Sequence, residues 1–345
     1  MHTNSDMNSA CRHIAVAACI AALCGRADGQ LVPNLGGQRT GISAFQFLKL
    51  GAGARGVAMG ESFVAVANDA SALYWNPAGL VQFPDDQVIA AHTEYLVDIK
   101  HEYFGVAYHL TGQDALGASF TSLHMKDMEV TTETQPFGTG TYFSFGDIAV
   151  GLSYSRKMTD QFSFGITMKY VEETLDVLKM RSVMVDLGTW YWTGLGSTRF
   201  AVVISNFGAD VAPTGTATEF NGTQVTTFQS FSVPTLFSLG IAMDPVDVDD
   251  HRLTTSVQLN HPNDNSEAVR LGLEYSFKKT FFLRAGVKRT IGQKLLGDDL
   301  TSEESYGLGA GVLAPMGLSV VGADYAFSNF GRLGSVHRIS LTFTY

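Results

Sequence analysis

Hydrophobic and polar side chains alternate with a period of two along most of the chain after residue 87. In the segment 162–170 (FSFGITMKY), bulky apolar residues alternate with Ser, Gly, Thr and Lys, and the segments 148–154, 269–277 and 339–345 follow the same pattern. Successive side chains of a β-strand point to opposite faces, so each segment has one apolar face and one small or polar face. This alternation predicts an all-β protein.

Fourteen segments are predicted as strands, and their connections alternate between short and long. The strands cover residues 87–97, 101–111, 114–125, 144–156, 161–173, 180–193, 197–207, 233–243, 251–260, 266–278, 280–289, 302–313, 316–327 and 335–345. The acidic segment DPVDVDD (Asp244–Asp250) is the exception, a longer connection on the short side. Short turns at one end and long loops at the other are typical of outer-membrane barrels. A soluble sandwich also alternates but has no reason to sort its loops in this way.

Two further features favour a barrel in a membrane. Aromatic residues gather at strand ends, and after the N-terminal apolar run no stretch approaches the length of a membrane-spanning helix. A closed barrel is the other structure that satisfies every backbone group in lipid, and its last strand, ending at Tyr345, would pair with the first. We therefore predict a 14-stranded antiparallel transmembrane β-barrel.

The N-terminus has the layout of a secretory signal peptide. Arg12 and His13 precede the apolar run IAVAACIAALCG, and small residues suited to cleavage follow near residues 27–29. We predict a signal peptide over residues 1–29, with a buried N-terminal helix as the alternative. The cysteines all lie inside this segment, so the mature chain would have no thiol: Cys11, Cys19 and Cys24.

Between the signal peptide and the first strand lies an apolar arm without strand alternation. Its centre is GARGVAMGESFVAVANDASALYWNPAGL (Gly53–Leu80), which carries few charges. We predict an N-terminal arm and hatch over residues 30–86, of which 42–85 fold inside the barrel formed by residues 87–345. Pro77 restrains Asn76 to extended geometry, so Asn76 can cap a short helical turn that begins at Pro77. An ordinary turn before the first strand is the alternative.

The net charge and the positions of charged residues limit the functions that the chain can have. A formal net charge of −10, with 16% charged residues, argues against nucleic-acid binding. Four charges fall on the non-lipid face of two neighbouring strands: Arg270, Glu274, Arg284 and Lys288. On the lipid face a mid-depth Arg or Lys would cost roughly 2–4 kcal/mol. Inside the lumen such charges can pin the hatch, which we favour, or form a ligand site.

The sequence gives little support for catalysis, a metal or another cofactor. The histidines after the N-terminal segment are scattered, with neither a Gly-x-Ser-x-Gly nucleophile turn nor zinc spacing: His92, His101, His109, His124, His251, His261 and His337. The acidic segment Asp244–Asp250 could hold calcium, but its spacing fits no calcium loop and favours a solvated turn. We expect a protein that is not an enzyme and that has no cofactor or metal site.

The segment FLKLGAGARGVAMGESFVAVANDASALYWNPAGL (Phe47–Leu80) closely resembles the opening signature of the PorV/PorQ family. The ending FGRLGSVHRISLTFTY and the tripeptide NFG (Asn206–Gly208) are similar to other parts of that family. The resemblance implies a FadL-like, fourteen-stranded barrel in the outer membrane of a Gram-negative-type bacterium. It also implies a hatch whose Asn-Pro-Ala motif is Asn76, Pro77 and Ala78.

The resemblance implies more than one function. PorV-like members serve type IX secretion, where they sit beside the secretion channel, accept secreted cargo proteins and pass them on to the cell surface. FadL-like members carry a hydrophobic ligand across the outer membrane, and a third possibility is a structural anchor. The long N-terminal match and the long loops, especially Gly208–Ser232, favour the export role.

Overall fold

The computed structural model describes residues 42–219, 222–291 and 306–345. The predicted signal peptide, its cysteines and the first part of the predicted arm (residues 30–41) lie outside the described residues. The strands are β1 Gln87–Glu94, β2 Lys100–His109, β3 Asp114–His124, β4 Met128–Glu129, β5 Tyr142–Phe143, β6 Phe145–Lys157, β7 Phe162–Leu175, β8 Leu178–Trp192, β9 Arg199–Gly208, β10 Ala217–Thr218, β11 Gln224–Val225, β12 Leu236–Val248, β13 His251–Pro262, β14 Ala268–Phe277, β15 Phe281–Thr290, β16 Tyr306–Met316, β17 Ser319–Asn329 and β18 Ser335–Thr344.

Fourteen of these strands, counted over the described residues, close into one antiparallel barrel. Each barrel strand pairs with its neighbours in chain order, and β1 pairs with β18 from Gln87↔Thr344 to Glu94↔His337. The remaining strands form two small hairpins, β4–β5 and β10–β11, in the two long loops 125–144 and 209–235. The prediction of a 14-stranded antiparallel barrel closed by its last strand is confirmed.

The alternation places apolar side chains outside and small or polar ones inside. On β18, Ile339 and Leu341 are 53% and 54% exposed on the outer surface, whereas Arg338 and Ser340 between them are buried. The same division runs along β7 and β14. The apolar outer band can contact lipid, whereas the polar groups of the inward face need partners in the lumen. Among the described residues, no helix is long and apolar enough to cross a bilayer.

The connections correct the sequence prediction at one place and refine it at another. Asp244–Asp250 is not a longer connection, because β12 continues to Val248 through a bulge between Met243 and Val246, and only Asp249 and Asp250 form the turn. At the end that carries the long loops, β7 and β8 are joined by the two-residue turn Asp176–Val177. The alternating polar residues of a bulged strand can be mistaken for a loop, because the bulge breaks the period of two.

Residues 42–86 lie inside the barrel and pack against its inner wall. They form helical turns at Gln46–Lys49, Ala54–Ala58, Ala72–Trp75 and Pro77–Val81, and two more turns, Leu96–Asp98 and Gly331–Leu333, lie between barrel strands. The core of the molecule forms where this arm meets the inner wall. Phe63 and Leu80 of the arm and Trp190 of β8 are almost completely buried there. We call residues 42–86 the hatch.

Candidate functional site: the hatch and the charged lumen

The Asn-Pro-Ala motif ties the hatch to itself and to the barrel wall. Asn76 has extended backbone geometry, and its Oδ1 accepts a hydrogen bond of 3.1 Å from the Ala78 N–H, with Pro77 as the first residue of the helical turn. Its amide nitrogen donates to the carbonyl oxygens of Val64 at 2.9 Å and Thr189 at 3.1 Å. The cap has the geometry that the sequence predicts. The bond to Thr189 of β8 is the part that local sequence reasoning could not supply.

Inward-facing glycines of the barrel strands leave room for the hatch backbone. A Cβ added to Gly188 would lie 2.2 Å from Asn76 Oδ1, and one added to Gly165 would lie 2.3 Å from the Pro77 carbonyl carbon. At Gly286 an added Cβ would lie 2.0 Å from the carbonyl carbon of Met59. These distances are far below contact, so the small residues of the inner face form a cradle for the hatch. The sequence marked this face as small and polar but did not reveal this contact.

A first group of lumen charges holds the hatch at the short-turn end. Arg55 of the hatch donates to both carboxylate oxygens of Glu274, each at 2.8 Å, and to Asp69 at 2.6 Å. Arg284 donates to Glu274 Oε2, which also accepts from Arg55 Nε, at 2.6 Å, and to Asp324 at 2.5 Å. Two predicted lumen charges, Glu274 and Arg284, therefore belong to one network that includes a hatch arginine.

A second group lies on the long-loop side of the hatch. Glu61 of the hatch pairs with Arg270 at 2.7 Å and with Lys288 at 3.4 Å. Burial by itself raises the pKa of the Glu61 carboxyl, but the charges of Arg270 and Lys288 outweigh it and lower the pKa to about 2. The other two predicted lumen charges thus converge on a single hatch carboxylate, which stays ionised.

Further polar contacts, which the sequence did not predict, also hold the hatch in place. Gln258 accepts from the backbone N–H groups of Phe63 and Val64, at 2.9 and 3.1 Å. Lys49 pairs with the buried Asp264 at 2.8 Å. Arg55 and Glu61 lie in the family signature Phe47–Leu80, which carries few charges. Two opposite charges in such an apolar arm were the signal that could have identified them as partners of the lumen charges.

Asp244, the first residue of the acidic segment, is a partner for arginines. Arg199 and Arg252 donate to it at 3.2 and 2.5 Å, and Thr254 donates at 2.8 Å. Arg199 also donates to the hatch carbonyl of Ala65 at 3.0 Å. Across residues 42–219, 222–291 and 306–345, no cluster of three or more side chains is suited to hold a metal ion.

The hatch separates two cavities whose lining residues, within the described chain, do not overlap. The outer cavity, of about 260 Å³, faces the long-loop end and is bounded by the hatch residues Leu48, Glu61 and Trp75. The inner cavity, of about 360 Å³, faces the short-turn end and is bounded by Arg55, Val66 and other residues. Both walls combine apolar side chains, such as Trp75 in the outer cavity and Phe282 in the inner one, with charged and amide side chains, so neither wall is uniformly apolar.

A comparison with models of known protein families shows which family the chain belongs to. The model of PorV, described as a type IX secretion system protein, matches residues 35–262. The chain belongs to the PorV family. No curated protein sequence matches the chain. The family places this barrel in the outer membrane and associates it with type IX secretion, as the resemblance predicted.

Solved structures share the fold of this PorV-family barrel. The P. putida toluene transporter TodX aligns with a TM-score of 0.55 and 11% identity over 85% of this chain and 96% of its own. CymD, a monoaromatic hydrocarbon channel, aligns with a TM-score of 0.54 and 13% identity over 87% of this chain and 98% of its own. A Pseudomonas aeruginosa FadL homologue aligns with a TM-score of 0.51 and 14% identity over 84% of this chain and 97% of its own. The matched family and these neighbours are secretion and transport proteins.

Proposed function

We propose that this PorV-family barrel serves protein export with its lumen closed, and that it receives secreted cargo proteins from a secretion channel at its outer rim. The observation that carries the proposal is the anchoring of the hatch. Ion pairs and amide contacts join it to β8, β13, β14 and β15, through Thr189, Gln258, Glu274 and Lys288. A plug held at so many points favours a protein that works from its surface.

The long-loop end offers a surface for a protein partner. Asp176 of the β7–β8 turn donates its N–H to Ser144 at 2.8 Å, and Lys179 exchanges backbone hydrogen bonds of 2.9 and 2.8 Å with Thr214. The loops 125–144 and 209–235 therefore flank this turn on both sides, and we call the three segments the outer crest. It carries Phe137, Tyr142 and Val177, which are 97%, 62% and 56% exposed. Exposed aromatic residues are common anchors of protein interfaces.

Uptake of a hydrophobic molecule is the second candidate, and the fold shared with TodX and CymD favours it. Pockets for such ligands are mostly apolar. The cavities on both sides of this hatch have apolar side chains too, but these are interrupted by arginine, lysine, carboxylate and amide groups, which makes uptake the weaker proposal.

The experiment is a deletion strain that is scored for two outputs. We expect proteins with type IX-type C-terminal domains to be lost from the cell surface, while growth on hydrophobic nutrients is unchanged. Normal surface display with failed uptake would replace the export proposal by the transport proposal, and loss of neither would favour a structural anchor.

Variants of the crest test the surface. Complementation with Phe137→Ser/Tyr142→Ser should restore surface display only partly. Leu318→Ser changes an equally exposed leucine in a turn at the opposite end and is the matched control. Full restoration by the crest variant would contradict docking at these side chains.

A further inference from the structure

The outward faces of β7 and β8 change from uncharged to charged at one level of the barrel. The outward side chains from Phe162 to Tyr170 on β7 and from Val183 to Tyr191 on β8 carry no charge. Each stretch (162–170 and 183–191) spans nine residues, and a transmembrane β-strand needs about 9–11. Tyr170 pairs with Val183, so both stretches end at the same height, on the long-loop side. That height marks the outer boundary of the hydrocarbon layer.

A cluster of charges occupies the next outward positions. Glu172 lies opposite Arg181, and Thr174 lies opposite Lys179. Arg181 Nε donates to the Glu172 carboxylate at 2.7 Å, and Lys179 Nζ donates to the same carboxylate at 3.4 Å. Tyr170, at the end of the uncharged stretch, donates its hydroxyl to Glu172 at 3.1 Å. The cluster therefore borders the lipid-facing band, at the level where head groups lie in a bilayer.

The cations of this cluster are more exposed than its carboxylate. The side chains of Arg181 and Lys179 are 55% and 45% exposed, against 18% for Glu172. Within the part of the chain that the structure describes, Nη1 and Nη2 of Arg181 make no hydrogen bond. A guanidinium group binds a phosphate through two parallel hydrogen bonds, and these nitrogens are suited to that geometry. One carboxylate thus holds two cations side by side, and donors of Arg181 remain for a ligand.

The position of this pair on the rim is distinctive. In the described barrel strands, the outward lysines and arginines near the long-loop end are Lys100 of β2, Lys179 and Arg181 of β8 and Arg289 of β15. Of these described strands, β8 alone has two at consecutive outward positions. The outer crest begins at this pair, since the Lys179 backbone is hydrogen-bonded to Thr214. A ligand of the pair would lie between the crest and the lipid-facing band.

We propose that Lys179 and Arg181 bind the phosphate of a lipid in the outer leaflet. Lysines and arginines at a membrane surface attract anionic head groups. The uncharged stretches below them, on which Met168 and Val183 are 59% and 50% exposed, receive the acyl chains. A phosphorylated lipid uses both parts of this surface at once, whereas a soluble anion would use the cations alone. The site faces the membrane and does not depend on the export role.

Native mass spectrometry of the purified barrel in detergent tests the proposal, because it counts the lipids bound to each barrel. The probes are diphosphoryl lipid A, the same lipid without its phosphates, and inorganic phosphate. We expect diphosphoryl lipid A to bind about tenfold or more tightly than the dephosphorylated lipid, because charge-assisted hydrogen bonds are lost with the phosphates. Inorganic phosphate at the same concentration should not displace the lipid, because it has no acyl chains. A smaller preference, or displacement by phosphate, would overturn the proposal.

Matched double variants locate the site. Lys179→Gln/Arg181→Gln should weaken binding of diphosphoryl lipid A about tenfold, because the charged donors to the phosphate are lost. Lys100→Gln/Arg289→Gln removes the same charge from the same rim and should leave the affinity unchanged. Exposed ion pairs contribute little to stability, and heat-modifiable migration on gels checks that each variant is folded. If the first double variant weakens binding no more than the second, the assignment to β8 is overturned.

Discussion

Arg55 of the hatch and Glu274 of β14 form a two-pronged ion pair, in which Nε and Nη2 each donate to a different carboxylate oxygen at 2.8 Å. The planar guanidinium group matches a carboxylate in this geometry, which fixes direction as well as distance. Because Arg284 of β15 also donates to Oε2 of Glu274, the carboxylate joins the hatch to two strands at once.

Removing one partner of this pair should loosen the hatch. Glu274→Gln leaves two buried arginines short of a counter-charge, and breaking a buried pair in this way costs about 3–5 kcal/mol. We expect easier proteolysis of the hatch and higher permeability to small solutes in liposomes. Arg156→Gln removes an arginine from a half-exposed pair with Asp114 and should change neither measurement.

A double variant shows whether the hatch loosens because the Arg55–Glu274 attraction is lost or because a buried charge is left without its partner. Arg55→Met/Glu274→Met removes both charges while Arg284 keeps its pair with Asp324, and it should protect the hatch better than Arg55→Met alone, which leaves the buried Glu274 with one arginine instead of two. Equal or greater protease sensitivity of the double variant would show that the attraction itself holds the hatch.

The glycine cradle gives a prediction that does not involve charge. In Gly188→Ala the new methyl group would meet Asn76 Oδ1 at 2.2 Å, so the hatch turn must move away from β8. Liposome leakage should rise as in the ion-pair variants. Gly112→Ala is the control, because an added Cβ meets no atom within 4 Å there. Wild-type leakage from folded Gly188→Ala would mean that the turn can shift without opening the lumen.

The sequence predicted the barrel well because its signal is local and repeated. Alternation along segments such as 269–277 defines both faces of a strand, and the all-antiparallel order leaves little choice of topology. The hatch partners could not be predicted, because Arg55 and Glu274 are 219 residues apart and no local pattern relates them. The bulge after Met243 was missed for the opposite reason, since it interrupts the only pattern that identifies a strand.

The Asn76 side chain should hold the hatch through the hydrogen bonds that its amide nitrogen donates as well as through the helix cap formed by its oxygen. Asn76→Asp keeps an oxygen that can accept from the Ala78 N–H, but it removes the donor to Val64 and Thr189. We expect Asn76→Asp to leak as much as Asn76→Ala, in which the cap itself, worth about 0.5–2 kcal/mol, is also lost. Wild-type behaviour of Asn76→Asp in the liposome assay would assign the whole effect to the cap.

Acid should release the outer part of the hatch through Glu61. The pKa of its carboxyl falls from 4.5 to about 2 in the folded protein, so the folded state binds fewer protons than the unfolded state between these values. The stabilisation is complete above pH 4.5 and is lost as the pH falls towards 2. Pepsin digestion of liposome-embedded protein across this range should show progressive exposure of the hatch. Glu61→Gln should be more sensitive at pH 5 and should lose less protection on acidification, because it has no proton to gain. Parallel pH curves for the two proteins would show that other carboxylates control the release and that the contacts of Arg270 and Lys288 with Glu61 contribute little.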